Sequence, residues 1–272
     1  MTATVEFLRD KAQELRRKIV REVSIGKKGH LGGSCSAADV VTALYFAKMR
    51  LDPKKPDWSQ RDRFILSKGH GALVQYAALA ELGFFAEEEL EKVKTLGGIL
   101  QGHPDRKLTP GVEANTGSLG QGISIACGMA AGLKMDDSPS RVYVLVGDGE
   151  QSEGQVWEAA MAAANFKLGN LIAILDRNNL QATGPITERF DTNPHPEKWV
   201  AFGWHVIEID GHDFEAILAA LDEADTVKDQ PTIIIANTVK GKGISFAENN
   251  PAFHNGVFTK ELYEQALSEL GA

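Results

Sequence analysis

Between Val5 and Val23 the apolar positions Leu8, Ala12, Leu15, Ile19 and Val23 recur at spacings of three and four, which predicts one amphipathic helix. Further on the pattern changes. Arg63 to Ser67, Val142 to Val146, Leu171 to Leu175 and Thr232 to Ala236 are short apolar runs without alternation, and Phe202 to Ile209 reads as a further strand. Continuous runs are what strands covered on both faces of a parallel sheet require. Helical spacing lies between and around them: Val40, Val41, Leu44 and Tyr45; Leu73, Tyr76, Ala77, Ala80 and Leu82; Val156, Ala160, Ala163 and Ala164; Ile217, Leu218 and Leu221; and a last set from Leu262 to Leu270. Glu87 to Val93 reads as a shorter helix. Ser36 with Asp39, and Ser152 to Gln155, fit capping boxes, and Asp213 fits an N-cap. The expected fold is α/β, a parallel sheet with helices on both faces, as a single domain over residues 1–272 with no linker or repeat.

Two of the runs end on metal-seeking oxygens. Val142 to Val146 leads into Gly147-Asp148-Gly149, and Leu171 to Leu175 leads into Asp176-Arg177-Asn178. One right-handed crossover places both strand ends on the same rim, where open parallel sheets bind ligands. Asp148, Asn178 and the nearby Leu180 carbonyl then offer an oxygen set suited to a hard cation such as magnesium, its shell completed by phosphate. A Gly-Asp-Gly after a strand is by itself most often a turn, so the pair carries the reading.

Other rim segments are rich in glycine and histidine. Gly29-His30 stands in a loop ahead of a helix, Lys68-Gly69-His70-Gly71 follows a strand, and Gln101-Gly102-His103-Pro104 lies in a long irregular stretch from Lys94 to Gly122. A lone loop histidine is more often solvent-facing than functional. That stretch ends in Thr116-Gly117-Ser118-Leu119-Gly120-Gln121-Gly122 directly before a helix, whose free N–H groups favour phosphate; it lacks the Gly-Lys-Ser/Thr ending of a P-loop. Thr238 to Gly243 reads as a flexible basic loop.

Composition narrows the partners. A net charge of −8 argues against nucleic acid or an anionic membrane. The uncharged span from Ala114 to Leu133 holds too many glycines and polar residues for a membrane helix and reads as a buried helix after a loop. Cys35 and Cys127, with no cluster spacing, fit reduced thiols, and the first residues lack the apolar core of a targeting segment, so a cytoplasmic protein is expected.

Taken in order, Gly29-His30 with Ser36-Ala37-Ala38, Ser67-Lys68-Gly69-His70, Gln101-Gly102-His103-Pro104 with Gly117 to Gly122, and the Gly147 to Asn178 pair resemble the N-terminal part of transketolases from Leu15 to Gly256. The metal pair is shared by many thiamine diphosphate enzymes; the histidine motifs are narrower. The resemblance implies the thiamine diphosphate-binding fold, with thiamine diphosphate and Mg2+ (or Ca2+ or Mn2+) as cofactors. It assigns the metal to Asp148, Asn178 and the Leu180 carbonyl, and cofactor contacts to His70, Gly117, Ser118, Leu119, Asp148, Gly149, Asn178 and Lys240. His30, His103 and His254 match catalytic positions along the substrate channel, Glu153 matches a carboxylate near a domain interface, and Gly33 replaces a serine that relatives can carry.

The implied reaction moves a two-carbon ketol unit from a ketose phosphate to an aldose phosphate, as in the pentose phosphate pathway, with the cofactor as electron sink. In that family the carboxylate that activates the aminopyrimidine lies on a second domain. The sequence ends at Ala272, so the expectation is a split enzyme: a C-terminal subunit supplies the pyrimidine-binding domain and its glutamate, with two of each chain in the assembly. Alternatives are one chain of an enzyme for a sulfonated or branched sugar, a deoxyxylulose phosphate synthase-like enzyme, or a non-catalytic protein that kept the fold.

Overall fold

The computed structural model describes residues 3–272. Helix α1 (Val5–Val23) is capped by Thr4, whose hydroxyl accepts from Phe7 N–H at 3.2 Å, and it buries the whole expected stripe. A short strand β1 (Lys28–Gly29) leads to His30, and α2 (Leu31–Ser36) begins at once. After a break at Ala37, α3 (Ala38–Ala43) runs into a π turn, Leu44–Lys48. The capping box expected here does not form. Ser36 donates to the Asp176 carboxylate at 2.6 Å, and Asp39 grips the Arg16 guanidinium at 2.6 and 3.0 Å. Buried charges left without partners cost more than an uncapped helix end, so Ser36 serves the buried Asp176 carboxylate and Asp39 pairs with Arg16.

The core sheet consists of β2 (Arg63–Leu66), β3 (Val142–Gly147) and β4 (Leu171–Arg177), with two strands from later in the chain. Helix α4 (Ala72–Leu82) follows β2, α5 (Gln121–Met135) precedes β3, and α6 (Gly154–Asn165) joins β3 to β4. A small hairpin, β5 (Leu180–Gln181) and β6 (Gly184–Pro185), comes next, followed by α7 (Ile186–Arg189) and α8 (His195–Ala201). Then come β7 (His205–Asp210), α9 (Phe214–Thr226), β8 (Thr232–Asn237), β9 (Gly256–Val257) and α10 (Lys260–Glu269). The sheet order is β2-β3-β4-β8-β7, parallel throughout.

Its two faces bury separate cores. Tyr143, Leu145, Ile172, Ile174 and Ile234 pack with α1, α3, α4 and α9; Val142, Val144, Val146, Leu171, Leu175, Ile233 and Ile235 pack with α5, α6 and Trp199 of α8. Each such side chain contributes about 1.5–3 kcal/mol when fully buried, which is why these strands show no polar alternation.

Three expectations are corrected. Ser152 does not cap α6: its hydroxyl bonds back to Gly149 O at 2.8 Å within a 3-10 turn, and Glu153 holds the cap position without a side-chain bond. The strand expected from Phe202 starts at His205, because Phe202 caps α8 and Trp204 is buried with its indole N–H on Ala160 O at 3.0 Å. Thr238 to Gly243 is not a flexible loop. Lys240 is buried, Gly241 N–H bonds Gly32 O at 3.0 Å, and a Cβ on Gly241 would stand 2.3 Å from Ala247 O. Asp213 does cap α9, accepting from Glu215 N–H at 3.0 Å. Among the described residues, no helix is long and apolar enough to cross a membrane.

Candidate functional site

The carboxyl ends of β2, β3, β4 and β8 open on a cavity of about 280 Å³. Its wall includes Gly33, Lys68, His70, Gly117, Asp148 and Asn178, with Gly149, Leu119, Leu180, Lys240 and His254; the expected His30 and His103 are not on it. Ser118 is exposed and stays outside that wall.

Beneath the cavity lies a buried ion pair that sequence patterning passed over. Lys68 at the end of β2 meets Asp176 on β4, and Asp176 also accepts from Ser36, Thr238 and the Asn178 amide, the last at 3.1 Å. Burial pushes Asp176 upward, but Lys68 and the two hydroxyls outweigh it and hold the carboxyl below its ordinary range. A charge inside an apolar strand, with a lysine at a neighbouring strand's end, was the available signal.

Asp148 is different. It is only 3% exposed, and its oxygens accept from backbone N–H alone: Gly149 at 2.7 Å and Asn179. Among the described residues no ammonium or guanidinium comes within ion-pair distance of it. Burial and the charge of Asp176 raise its pKa. Asn178 presents its amide oxygen beside Leu180 N–H at 3.1 Å, and the Leu180 carbonyl accepts from Lys240 at 2.7 Å. Burial and the neighbouring Lys68 lower Lys240. A buried carboxylate lacking a cation, next to an amide oxygen and a carbonyl, fits a hard divalent cation. No cluster of three His, Cys, Asp or Glu side chains suitable for a metal occurs among the described residues, so any such ion would take its remaining oxygens from ligand or water.

The glycine segment before α5 is pressed onto the end of β2. Cβ atoms built on Gly69 and Gly122 would stand 2.7 Å from Gly117 N and 2.6 Å from Ser67 Cα. Glu150, 2% exposed, accepts from Ser67 Oγ at 2.6 Å, Gly120 N–H at 2.8 Å and Gly147 N–H at 3.0 Å, so one carboxylate ties three rim segments together. Burial raises its pKa against those bonds. Sequence reasoning singled out Glu153 instead, which is exposed on the cavity wall.

Four histidines converge above. The His30 ring lies 5.5 Å from His70, 6.0 Å from His103 and 5.6 Å from His254, and His70 stacks on His254 at 4.9 Å. The antiparallel pairing of β1 with β9, Gly29 opposite Gly256, brings His30 and His254 together across most of the chain. Burial, reinforced by nearby lysines, lowers His30 to about 4 and His254 to about 3, and lowers His70 and His103 as well. Near neutral pH these imidazoles are uncharged, able to accept a proton or donate a hydrogen bond.

The family model described as "Transketolase, thiamine diphosphate binding domain" matches residues 9–272. The chain is 44% identical to a 6-deoxy-6-sulfo-D-fructose transketolase subunit of Clostridium sp. strain MSTE9, covering 97% of this chain and 96% of that protein. It is 43% identical to an apulose-4-phosphate transketolase subunit of Phocaeicola vulgatus, over 98% and 94%. Against human transketolase the identity is 42%, but the match takes 98% of this chain and only 42% of the longer one. A solved transketolase from Campylobacter jejuni superposes with a TM-score of 0.92 at 32% identity, over 99% of this chain and 43% of that one.

Proposed function

Because the chain belongs to the transketolase family, as its N-terminal thiamine diphosphate-binding domain, we propose that it is one subunit of a two-chain transketolase. In this reading the single domain, 1–272, works with a separate chain that brings the pyrimidine-binding domain and its activating glutamate, two of each in the assembly. Support comes from relatives named as subunits and matched along nearly their whole length. The single observation that carries the chemistry is that Asp148, Asn178, His70 and His254 line one cavity, with the His30 ring 5.5 Å from His70 and 6.0 Å from His103.

Thiamine diphosphate, when bound, supplies an electron sink for the carbonyl carbon of a ketose. Asp148, Asn178 and the Leu180 carbonyl would hold magnesium, and Gly117, Ser118, Leu119, Gly149, His70 and Lys240 would contact the cofactor. The Gly117 and Gly149 backbones let a diphosphate approach, and Lys240 offsets its charge. His30, His103 and His254 would take the proton from the hydroxyl beside the breaking carbon–carbon bond and return it to the acceptor. Their depressed basicity favours giving that proton back, and they reset without leaving a buried charge. The two buried free thiols fit a reducing compartment such as the cytoplasm.

The transferred unit would pass from a ketose phosphate to an aldose phosphate, as in the pentose phosphate pathway. A second reading, a sulfonated or branched sugar as donor or acceptor, is favoured by the two relatives at 43–44% identity, whose names specify such sugars. The test is reconstitution with the companion chain and assay with xylulose 5-phosphate and ribose 5-phosphate, then 6-deoxy-6-sulfo-D-fructose, then pyruvate. Ketol transfer that needs both chains supports the proposal; full activity of this chain alone, or a pyruvate-only reaction, contradicts it.

A further inference from the structure

Behind the cavity wall that carries Lys240 runs a second buried polar chain, which the proposed chemistry does not use. Arg16 of α1 forks onto both Asp39 oxygens at 2.6 and 3.0 Å and donates once more to Cys35 O at 3.2 Å. Asp39 Oδ2 also accepts from His212 Nδ1 at 2.6 Å, and His212 Nε2 accepts from Val239 N–H at 2.8 Å. Arg16 is 7% and Asp39 5% exposed. Burial pushes Asp39 upward, but Arg16 and the His212 bond outweigh it and hold the carboxyl below its ordinary range.

This bonding fixes where the ring carries its hydrogen. A backbone N–H can only donate, so Nε2 is the bare nitrogen of His212 and Nδ1 carries the hydrogen, with Asp39 as its acceptor. A carboxylate behind an imidazole sets both its tautomer and its orientation toward whatever the other nitrogen serves. Here that is one backbone amide, and the next residue is Lys240.

Strands β7 and β8 run paired to Asp210 and Asn237, and both chains leave the sheet there. Gly211 lets the two exits touch: a Cβ on it would stand 2.5 Å from Thr238 Cγ2. His212 follows on one exit and Val239 on the other. Lys240 is 2% exposed, and its stem lies along Gly32, where a Cβ would stand 3.0 Å from Lys240 Cγ. On its carboxyl side Asn249 N–H bonds Lys240 O at 2.9 Å. On its amino side a side chain supplies the tie, and that side chain is His212.

We propose that His212 is a positioning residue for Lys240: its Nε2 fixes the Val239 backbone, and so the direction in which the Lys240 ammonium enters the cavity, while Asp39 and Arg16 hold the ring in the one tautomer that can do this. The inference rests on the reading of Lys240 as a contact of the cofactor diphosphate. His212 itself touches neither cofactor nor substrate and acts only through the lysine.

The test is calorimetry of thiamine diphosphate with the reconstituted two-chain complex in magnesium. His212→Asn keeps an amide near the place of Nδ1, within reach of Asp39 but not of Val239, and should weaken binding about tenfold. His212→Gln carries its amide out to the place of Nε2 and should retain most of the affinity. Lys240→Met should weaken binding too, and adding His212→Asn to it should cost nothing further, because the residue through which His212 acts is already gone. In 15N spectra of the histidine-labelled complex, the His212 signals, assigned by their loss in His212→Gln, should show a protonated Nδ1 and a bare Nε2. Unchanged affinity in His212→Asn, an equal loss with and without Lys240, or a His212 ring protonated at Nε2 overturns the positioning role while Lys240 keeps its place at the cofactor. Unchanged affinity in Lys240→Met overturns the reading of Lys240, and the role of His212 with it.

Discussion

Asp148 is a buried carboxylate that the described residues leave without a cation. Two backbone N–H groups serve it, yet burial beside Asp176 still raises its pKa, where a dication would lower it. Glu150 is the opposite case, a buried carboxylate whose bonds all serve the protein. In Glu150→Gln an amide NH2 must face at least one of three donors. Calorimetry should show weaker thiamine diphosphate binding, and thermal melts a loss of about 1–3 kcal/mol. The histidines give a pH prediction. His30, His195 and His254 have folded values of about 4, 4 and 3, below the unfolded value near 6.5, so the unfolded chain binds more protons between those limits. Stability should be full above about pH 6.5 and fall progressively toward pH 4, measurable as falling urea midpoints; imidazole NMR should show no titration of these rings near 6.5. Asp148, Asn178 and the histidines were legible because glycines and strand ends mark them. Lys68, Asp176 and Glu150 were not, since their meaning lies in partners from distant segments.

The strands were legible as elements because burial on two faces leaves no polar position to blur them, and α1 because its stripe faces a single core. Both expected capping boxes failed for one reason: Ser36, Asp39 and Ser152 found stronger or nearer partners once folded. The β1–β9 pairing was invisible, because two-residue strands carry no periodicity and this one joins residues from opposite ends of the sequence. The docking of α5 against β2 makes a sharp prediction. A methyl group on Gly122 would meet the Ser67 backbone at 2.6 Å, which cannot move without shifting the strand end. Gly122→Ala should cost roughly 1–3 kcal/mol, lowering Tm by about 2–4 °C for each kcal/mol, and should weaken cofactor binding with it. Gly128→Ala on the same helix has open space around it and should do neither.

At the scale of the whole molecule, the fold class and the rim that carries the candidate site followed from the order of apolar runs. The chain spans nearly all of relatives named as subunits and under half of human transketolase. Activity is therefore expected only in the presence of the companion chain, with velocity saturating as that chain is titrated in. The most direct measurement of the central claim is calorimetry of thiamine diphosphate with the reconstituted complex in magnesium, repeated with chelator and with Asp148→Ala plus Asn178→Ala. The account predicts binding that disappears in both altered conditions while the melting profile of the complex without cofactor is retained. Equal affinity in all three would contradict it.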